Sequence, residues 1–176
     1  MLPNIVLIGF MGCGKSSVGR RLAAMTGHRF VDTDDLITQT ENRTIPEIFA
    51  AEGETYFREV EEKVFQDLVG VCGIILSTGG GAVLRDNNRQ TMRKIGVVAW
   101  LHAQPDILFE RASRTGKRPL LQTENPRETF DSLLTARLPI YQETADFCFD
   151  SDSLTHDEVA QGLLDHALRH HHRFDC

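Results

Sequence analysis

A phosphate-binding loop near the N-terminus constrains the fold more than any other feature of this sequence. Residues 9–16 read Gly-Phe-Met-Gly-Cys-Gly-Lys-Ser, a complete G-x-x-x-x-G-K-[ST] motif between the apolar run Ile5–Ile8 and a helical pattern. The glycines let backbone N–H groups converge on phosphates, Lys15 can reach the β- and γ-phosphate oxygens, and the Ser16 hydroxyl can ligate Mg²⁺. The start of the following helix adds partial positive charge. The sequence therefore predicts a strand–loop–helix unit that binds a nucleoside triphosphate.

Apolar runs alternate with helical patterns along the rest of the chain. Continuous apolar runs are typical of strands that are covered on both faces. Alternating strands and helices imply right-handed crossovers and a parallel sheet. No repeat, linker or second domain is visible, so we expect a single domain over residues 1–176. The predicted strands are 5–8, 29–32, 74–76, 97–101 and 147–149, and the predicted helices are 15–25, 56–69, 107–114, 130–142 and 156–170.

Composition and charge exclude several classes of partner. The 176 residues are 41% hydrophobic and 25% charged, without an apolar stretch near the ~18 residues that a membrane span needs. The net charge of −6 argues against a nucleic-acid partner held by bulk electrostatics. The start of the chain leaves no room for a signal peptide, and the four cysteines show neither a C-x-x-C pair nor metal spacing. We therefore expect a reduced, cytoplasmic chain with no nucleic-acid or membrane partner.

A polar, basic stretch over residues 113–127 is a candidate lid. It contains two prolines, a glycine and the cationic side chains of Arg114, Lys117 and Arg118. Loops of this length in compact domains are usually lids or disordered segments. A lid suits phosphoryl transfer, in which water must be kept from the γ-phosphate. A flexible surface loop is the alternative.

Two polar clusters follow predicted strands, at the sheet edge where ligands bind in open α/β folds. Asp32-Thr33-Asp34 ends the second strand, and Ser-Thr-Gly-Gly-Gly over residues 77–81 ends the third. One carboxylate can hold Mg²⁺ and the other can accept a proton from an attacking hydroxyl. A helix N-cap with a solvated carboxylate is the alternative for the aspartates, and a simple turn is the alternative for the glycines.

In the order and spacing of its motifs the chain resembles the shikimate kinases over nearly its whole length. The motifs are residues 9–16, 32–34, 57–61 (Phe-Arg-Glu-Val-Glu), 77–81, 117–121 (Lys-Arg-Pro-Leu-Leu) and 137–141 (Arg-Leu-Pro-Ile-Tyr). The resemblance implies a three-layer α/β, P-loop fold like that of nucleoside monophosphate kinases, with a five-stranded parallel sheet in the order 2-3-1-4-5. It also implies a shikimate-binding region at about residues 33–61 and a mobile lid at about residues 113–125.

The resemblance further implies the reaction and the residues that perform it. ATP and shikimate would give ADP and shikimate 3-phosphate with Mg²⁺, in aromatic amino-acid biosynthesis, on a monomeric enzyme. The implied catalytic residues are Asp34, Lys15 and Arg118. The implied ATP-binding residues are Gly12, Cys13, Gly14, Lys15, Ser16, Ser17, Arg111 and Arg118. The implied substrate-binding residues are Asp34, Arg58, Gly79, Gly80, Gly81 and Arg137, and the implied metal ligands are Ser16 and Asp32. A planar guanidinium pairs bidentately with a carboxylate, which suits two arginines to the carboxylate of shikimate.

Two other functions are weighed against this one. A gluconate or nucleoside monophosphate kinase would share the loop and the lid, but would not be expected to combine Asp34, Arg58, the three glycines and Arg137. A nucleotide-binding regulatory protein that has lost catalysis is disfavoured because the catalytic side chains are present. The stretch after Phe149, where the family completes its adenine pocket, diverges and receives no assignment.

Overall fold

A parallel sheet of five strands lies at the centre of the computed structural model, which describes residues 2–114 and 123–170. The spatial order is β2-β3-β1-β4-β5, which confirms the expected fold class and sheet order. All strand pairs in this sheet are parallel, and Ile5 of β1 lies between Ile75 and Val97 in the register. The strands are β1 (Ile5–Ile8), β2 (Arg29–Asp32), β3 (Ile74–Ser77), β4 (Val97–His102) and β5 (Phe147–Asp150).

Seven α-helices of the described residues flank the sheet or cap its edge. They are α1 (Lys15–Thr26), α2 (Thr33–Glu41), α3 (Ile45–Asp67), α4 (Asp86–Ile95), α5 (Pro105–Arg114), α6 (Pro126–Thr144) and α7 (His156–Arg169). A short 3₁₀ helix spans Ala82–Leu84. Strands β1 and β3 are buried along their whole length, as their continuous apolar sequences predict. The core therefore occupies both faces of the central strands.

Two helices and half of a third were not predicted. Helices α2 and α4 bury polar side chains such as Thr33 and Asn88, so they lack the apolar stripe that reveals a helix in sequence. Helix α3 begins at Ile45, where Thr44 and Glu47 form a capping box, and is interrupted at Gly53 with φ 79°. The predicted helix 56–69 is thus only the second half of α3.

Three expectations about the rest of the chain have different outcomes. The lid at about residues 113–125, with Lys117 and Arg118, lies mostly outside the described residues. In the described part of the chain no helix has the length and apolar character that crossing a membrane requires. Of the four cysteines, Cys13 and Cys148 are free thiols and Cys176 lies outside the described residues, so the expectation of a reduced chain stays a prediction.

Candidate active site

The loop between β1 and α1 has the backbone conformation that its glycines allow. Gly9, Gly12 and Gly14 have φ of 146°, 85° and 90°, a region that residues with a Cβ rarely adopt. A Cβ at Gly12 would also clash with the carbonyl oxygen of Leu108, because the loop packs directly on the backbone of α5. The loop is therefore fixed between the sheet and α5 before any ligand arrives.

The ammonium group of Lys15 lies inside this loop. Its Nζ donates to the carbonyl oxygens of Gly9 at 2.7 Å and Phe10 at 3.2 Å, and it lies 3.5 Å from Cys13 Sγ. These partners are neutral, so the positive charge is held in place without being neutralised. An anion entering the loop can exchange these dipolar contacts for ionic ones.

A hydroxyl and a carboxylate meet beside Lys15. Ser16 Oγ donates to Asp32 Oδ2 at 3.0 Å and lies 3.4 Å from Ser77 Oγ. Asp32 is also the N-cap of α2, because its Oδ1 accepts from the backbone N–H of Asp34 at 3.1 Å. Asp32 thus combines the N-cap role with a place beside the loop hydroxyl. The pair suits Mg²⁺, which takes one or two protein oxygens and completes its shell with phosphates and water.

A cavity of about 480 Å³ joins the loop to the carboxyl ends of the strands. The predicted site residues that line it are Gly12, Gly14, Lys15, Ser16, Ser17, Asp32, Asp34, Gly79, Gly80 and Arg111. Met11, Ser77, Thr78 and His156 line it as well and were not predicted. Cys13, Arg58, Gly81 and Arg137 are not among its lining residues: Cys13 is buried, Arg58 lies against Gly81, and Arg137 approaches the carbonyl oxygen of Gly80. Arg118 lies outside the described residues.

Residues 79–81, which we call the glycine wall, contact functional side chains on both sides. A Cβ at Gly79 would lie 3.0 Å from Asp34 Oδ1, and one at Gly81 would lie 2.6 Å from Arg58 Nη2. The backbone N–H of Gly79 donates to Thr33 Oγ1 at 3.1 Å, which ties the wall to the start of α2. A side chain at position 79 would crowd the Asp34 carboxylate and one at position 81 would displace the Arg58 guanidinium, so glycine at these two positions keeps both groups in place.

Arg58 is held by two carboxylates of its own helix. Its Nη1 donates to Glu61 Oε2 at 2.9 Å, and its Nε and Nη2 reach Glu54 Oε1 at 3.3 and 3.2 Å. Glu61 is only 1% exposed, and Asn88 Nδ2 donates to the same Oε2 at 3.3 Å. Sequence reasoning missed Glu61 and Asn88. Glu61 offered a signal, since it stands three residues after Arg58 and therefore on the same helix face.

The burial of Glu61 has an electrostatic consequence. Loss of water raises the pKa of Glu61, and the nearby negative charge of Asp34 raises it further, while the Arg58 guanidinium opposes both effects. Its Oε1 is buried and has no hydrogen-bond partner among the described residues. That oxygen lies 3.5 Å from the position of a Cβ at Gly79. An acceptor is therefore available beside the glycine wall for a donor that the described residues do not supply.

Arg137 approaches the glycine wall from α6. It is 8% exposed, and its guanidinium lies 5.5 Å from the centre of the Phe10 ring. Its Nη1 lies 3.4 Å from the carbonyl oxygen of Gly80, which also accepts a hydrogen bond from Tyr141 Oη at 2.6 Å. Arg58 and Arg137 thus contact neighbouring residues of one wall, as a two-arginine clamp requires.

Side chains of α5 and α7 also line the cavity. Arg111 of α5 was expected there, whereas His156, the first residue of α7, comes from the unassigned stretch after Phe149. Helix α7 is attached to α1 by an ion pair in which Arg21 Nη2 donates to Asp157 Oδ2 at 2.8 Å. His156 is therefore placed by the start of α7, where Thr155 and Glu158 form a capping box, and by the contact of α7 with α1.

Comparisons of this chain with family models, curated proteins and solved structures agree on one family. A family model described as shikimate kinase matches residues 11–167. The chain is 45% identical over 163 residues to the shikimate kinase of Thermodesulfovibrio yellowstonii, covering 93% of this chain and 94% of that protein. It is 46% identical over 162 residues to that of Actinobacillus pleuropneumoniae serotype 5b, with 92% and 94% covered. The structure of shikimate kinase from Acinetobacter baumannii in complex with shikimate aligns with a TM-score of 0.91 and 38% identity, covering 98% of this chain and 97% of that one.

Proposed function

The chain belongs to the shikimate kinase family, and we propose that its cavity binds ATP and shikimate side by side. It is an ATP-dependent kinase that phosphorylates the 3-hydroxyl of shikimate in the pathway to aromatic amino acids. One observation carries the arrangement. Asp34, Gly79 and Gly80 line the same cavity as Lys15 and Ser16 of the phosphate loop. A gluconate or nucleoside monophosphate kinase is not favoured.

The phosphate end of the site is formed by residues 9–17 with Asp32. Backbone N–H groups of the loop bind the phosphates, and the Lys15 ammonium bonds the β- and γ-phosphate oxygens. Ser16 would hold Mg²⁺, with Asp32 bound directly or through water. Once bound, the ion neutralises charge on the phosphates. Arg111 lies near the adenine, as the family resemblance suggests.

The shikimate end is formed by Asp34, Arg58, the glycine wall and Arg137. The two guanidinium groups bind the ring carboxylate, since each offers parallel N–H donors to it. Glu54 and Glu61 hold the Arg58 guanidinium from behind, which fixes the direction of its remaining donors. The acceptor shikimate is thereby bound with its carboxylate away from the phosphate loop and its hydroxyls toward Asp34.

Asp34 orients the attacking hydroxyl and takes its proton. Because the transition state of phosphoryl transfer is loose, positioning contributes more than basicity does. Glycine at position 79 lets the Asp34 carboxylate lie against backbone, where no side chain competes with the substrate.

Arg118 neutralises charge on the transferring phosphate. This role rests on its motif alone, and Arg118→Ala should lower kcat far more than it weakens shikimate binding. We also propose a monomeric, cytoplasmic enzyme, on the family resemblance alone.

An ADP-release assay with three acceptors tests the proposed function. We expect release with shikimate and Mg²⁺, no release with gluconate or AMP, and no release with shikimate after EDTA treatment. Asp34→Asn keeps the shape of the side chain but loses its charge, so it should lower kcat roughly 100-fold or more with a smaller change in shikimate KM. Turnover of AMP or gluconate at a rate equal to that of shikimate would contradict the assignment.

A further inference from the structure

One backbone carbonyl in the glycine wall receives two donors from α6. Tyr141 Oη donates to the carbonyl oxygen of Gly80 at 2.6 Å, and Arg137 Nη1 approaches the same oxygen at 3.4 Å. The two side chains are four residues apart and therefore lie on one face of α6. The shorter bond comes from the tyrosine. Its hydroxyl is thus the stronger of the two links between α6 and the wall.

The tyrosine ring is fixed independently of this bond. Tyr141 is completely buried, and its ring stacks on Trp100 with centroids 5.9 Å apart and an interplanar angle of 21°. A phenylalanine would fill the same space against Trp100, so packing alone does not require the hydroxyl. Burial raises the pKa of the Tyr141 phenol, which keeps the group protonated and able to donate. The hydroxyl of this residue therefore donates to Gly80 and lies beside the Arg137 guanidinium.

Fixing the Gly80 carbonyl also fixes its neighbour. The peptide unit is planar and trans, so the N–H of Gly81 points opposite to the carbonyl that Tyr141 holds. The α-carbon of Gly81 lies against the Arg58 guanidinium, because a Cβ there would lie 2.6 Å from Nη2. One peptide unit, with Tyr141 on one side, therefore lies between Arg137 and Arg58.

We propose that Tyr141 is a positioning residue for the acceptor substrate: its hydroxyl orients the Gly80–Gly81 peptide between the two arginines that bind the carboxylate. This inference rests on the proposed binding of shikimate at the glycine wall. Tyr141 itself touches no substrate and acts through Gly80. Without the hydroxyl, the peptide can rotate and the distance between the two arginine contacts is no longer fixed. Acceptor affinity then falls, while the hydrogen bonds of Lys15 within the phosphate loop remain.

The test compares two deletions of a single buried hydroxyl on the same helix. Tyr141→Phe removes the donor to Gly80, and Thr144→Val removes a bond from Thr144 Oγ1 to the carbonyl oxygen of Ile140 at 2.6 Å, one turn further along. Both variants should lose some thermal stability. Only Tyr141→Phe should raise shikimate KM, by roughly 5- to 30-fold, with ATP KM within twofold of the wild type. Arg137→Ala, measured in parallel, gives the KM expected when the clamp itself is broken.

The outcomes separate this inference from the proposed function. If wild-type protein does not phosphorylate shikimate, the proposed function fails. If Arg137→Ala raises shikimate KM but Tyr141→Phe does not, or if Tyr141→Phe raises ATP KM equally, only the positioning role is overturned. Should Tyr141→Phe not fold, p-aminophenylalanine and p-fluorophenylalanine at position 141 keep the ring filled and differ in the donor. The amino variant should retain the wild-type shikimate KM and the fluoro variant should not, and equal values would also overturn the inference.

Discussion

The two ends of the cavity are built in different ways. The phosphate end is almost one continuous segment, in which glycine backbone and a helix start shape the loop. Hydrogen bonds of Ser16 with Asp32 and Ser77 tie the loop to β2 and β3. The shikimate end combines side chains from α2, α3 and α6 with a glycine wall after β3. A local motif therefore suffices to specify the first end, whereas the second depends on the whole fold.

The cations at the two ends also differ in their partners. Lys15 contacts neutral carbonyl oxygens and a thiol, whereas Arg58 is already paired with the carboxylates of Glu54 and Glu61. Phosphates meet an uncompensated charge at the loop. The carboxylate of shikimate instead meets a guanidinium that is oriented by competing anions. The phosphate end therefore favours strong binding of charge, and the shikimate end favours correct geometry.

The largest effect is expected at the phosphate end. Lys15→Ala removes the ammonium that contacts the transferring phosphate, and no second cation of the described loop replaces it. We expect kcat/KM to fall roughly a thousandfold or more, since charge stabilisation in phosphoryl transfer contributes several kcal/mol. Lys94→Ala, at an exposed position on α4, is the control and should behave as wild type. A folded Lys15→Ala protein with near-normal turnover would refute the role of the loop.

A smaller and more selective effect is expected at the shikimate end. Arg58→Ala or Arg137→Ala should each weaken shikimate binding by about 2 to 3 kcal/mol, measured as a rise in shikimate KM. This is the lower part of the range for breaking a charged pair, because the other arginine remains. ATP KM should change little. Arg21→Ala, which breaks an exposed ion pair between α1 and α7, is the matched control. If Arg137→Ala weakened the binding of ATP and of shikimate equally, the separation of the two ends would be wrong.

The same difference explains what could be read from the sequence. The phosphate loop, the strand order and the polar clusters after β2 and β3 follow from local patterns and from the family resemblance. Asn88 and Tyr141 were missed as functional partners because their importance lies in contacts with Glu61 and Gly80, which are distant in the chain. Helix α4, which carries Asn88, was itself missed because its buried face is partly polar. A buried face that mixes polar and apolar residues is harder to recognise from the spacing of apolar residues alone.

Glu61→Gln changes how Arg58 is held at the shikimate end and leaves the phosphate loop intact. The amide keeps the shape but loses the charge that holds the guanidinium, so shikimate KM should rise roughly tenfold with ATP KM unchanged. In the wild type, acidification should raise shikimate KM at a pH above the usual carboxyl range, because the pKa of Glu61 is raised by burial. The variant should lack this contribution. Identical acid limbs in the two proteins would exclude Glu61 as the titrating support.

The raised pKa of Glu61 also predicts how the stability of the protein depends on pH. The pKa of Glu61 in the folded protein lies above its ordinary value of 4.5, so the folded state binds this proton more readily than the unfolded chain. The contribution of Glu61 to stability is thus complete below about pH 4.5 and is lost as the pH rises through the folded-state pKa. The Tm of the wild type relative to Glu61→Gln should therefore decrease with rising pH over that interval. An increase would show that Arg58 outweighs burial.

The smallest effect is expected where the phosphate end depends on packing rather than on its motif. His156 lines the cavity with Arg111, yet it is placed there by the attachment of α7 to α1. An aromatic ring beside the outer part of a nucleotide contributes on the order of 1 kcal/mol by stacking, so His156→Ala should raise ATP KM roughly three- to fivefold and leave shikimate KM and kcat unchanged. Asp157→Ala breaks the adjacent ion pair without removing a cavity side chain, and it separates loss of the ring from loosening of α7. If both variants raised ATP KM equally, α7 would contribute through its docking alone, and nucleotide binding would depend on the whole fold just as shikimate binding does.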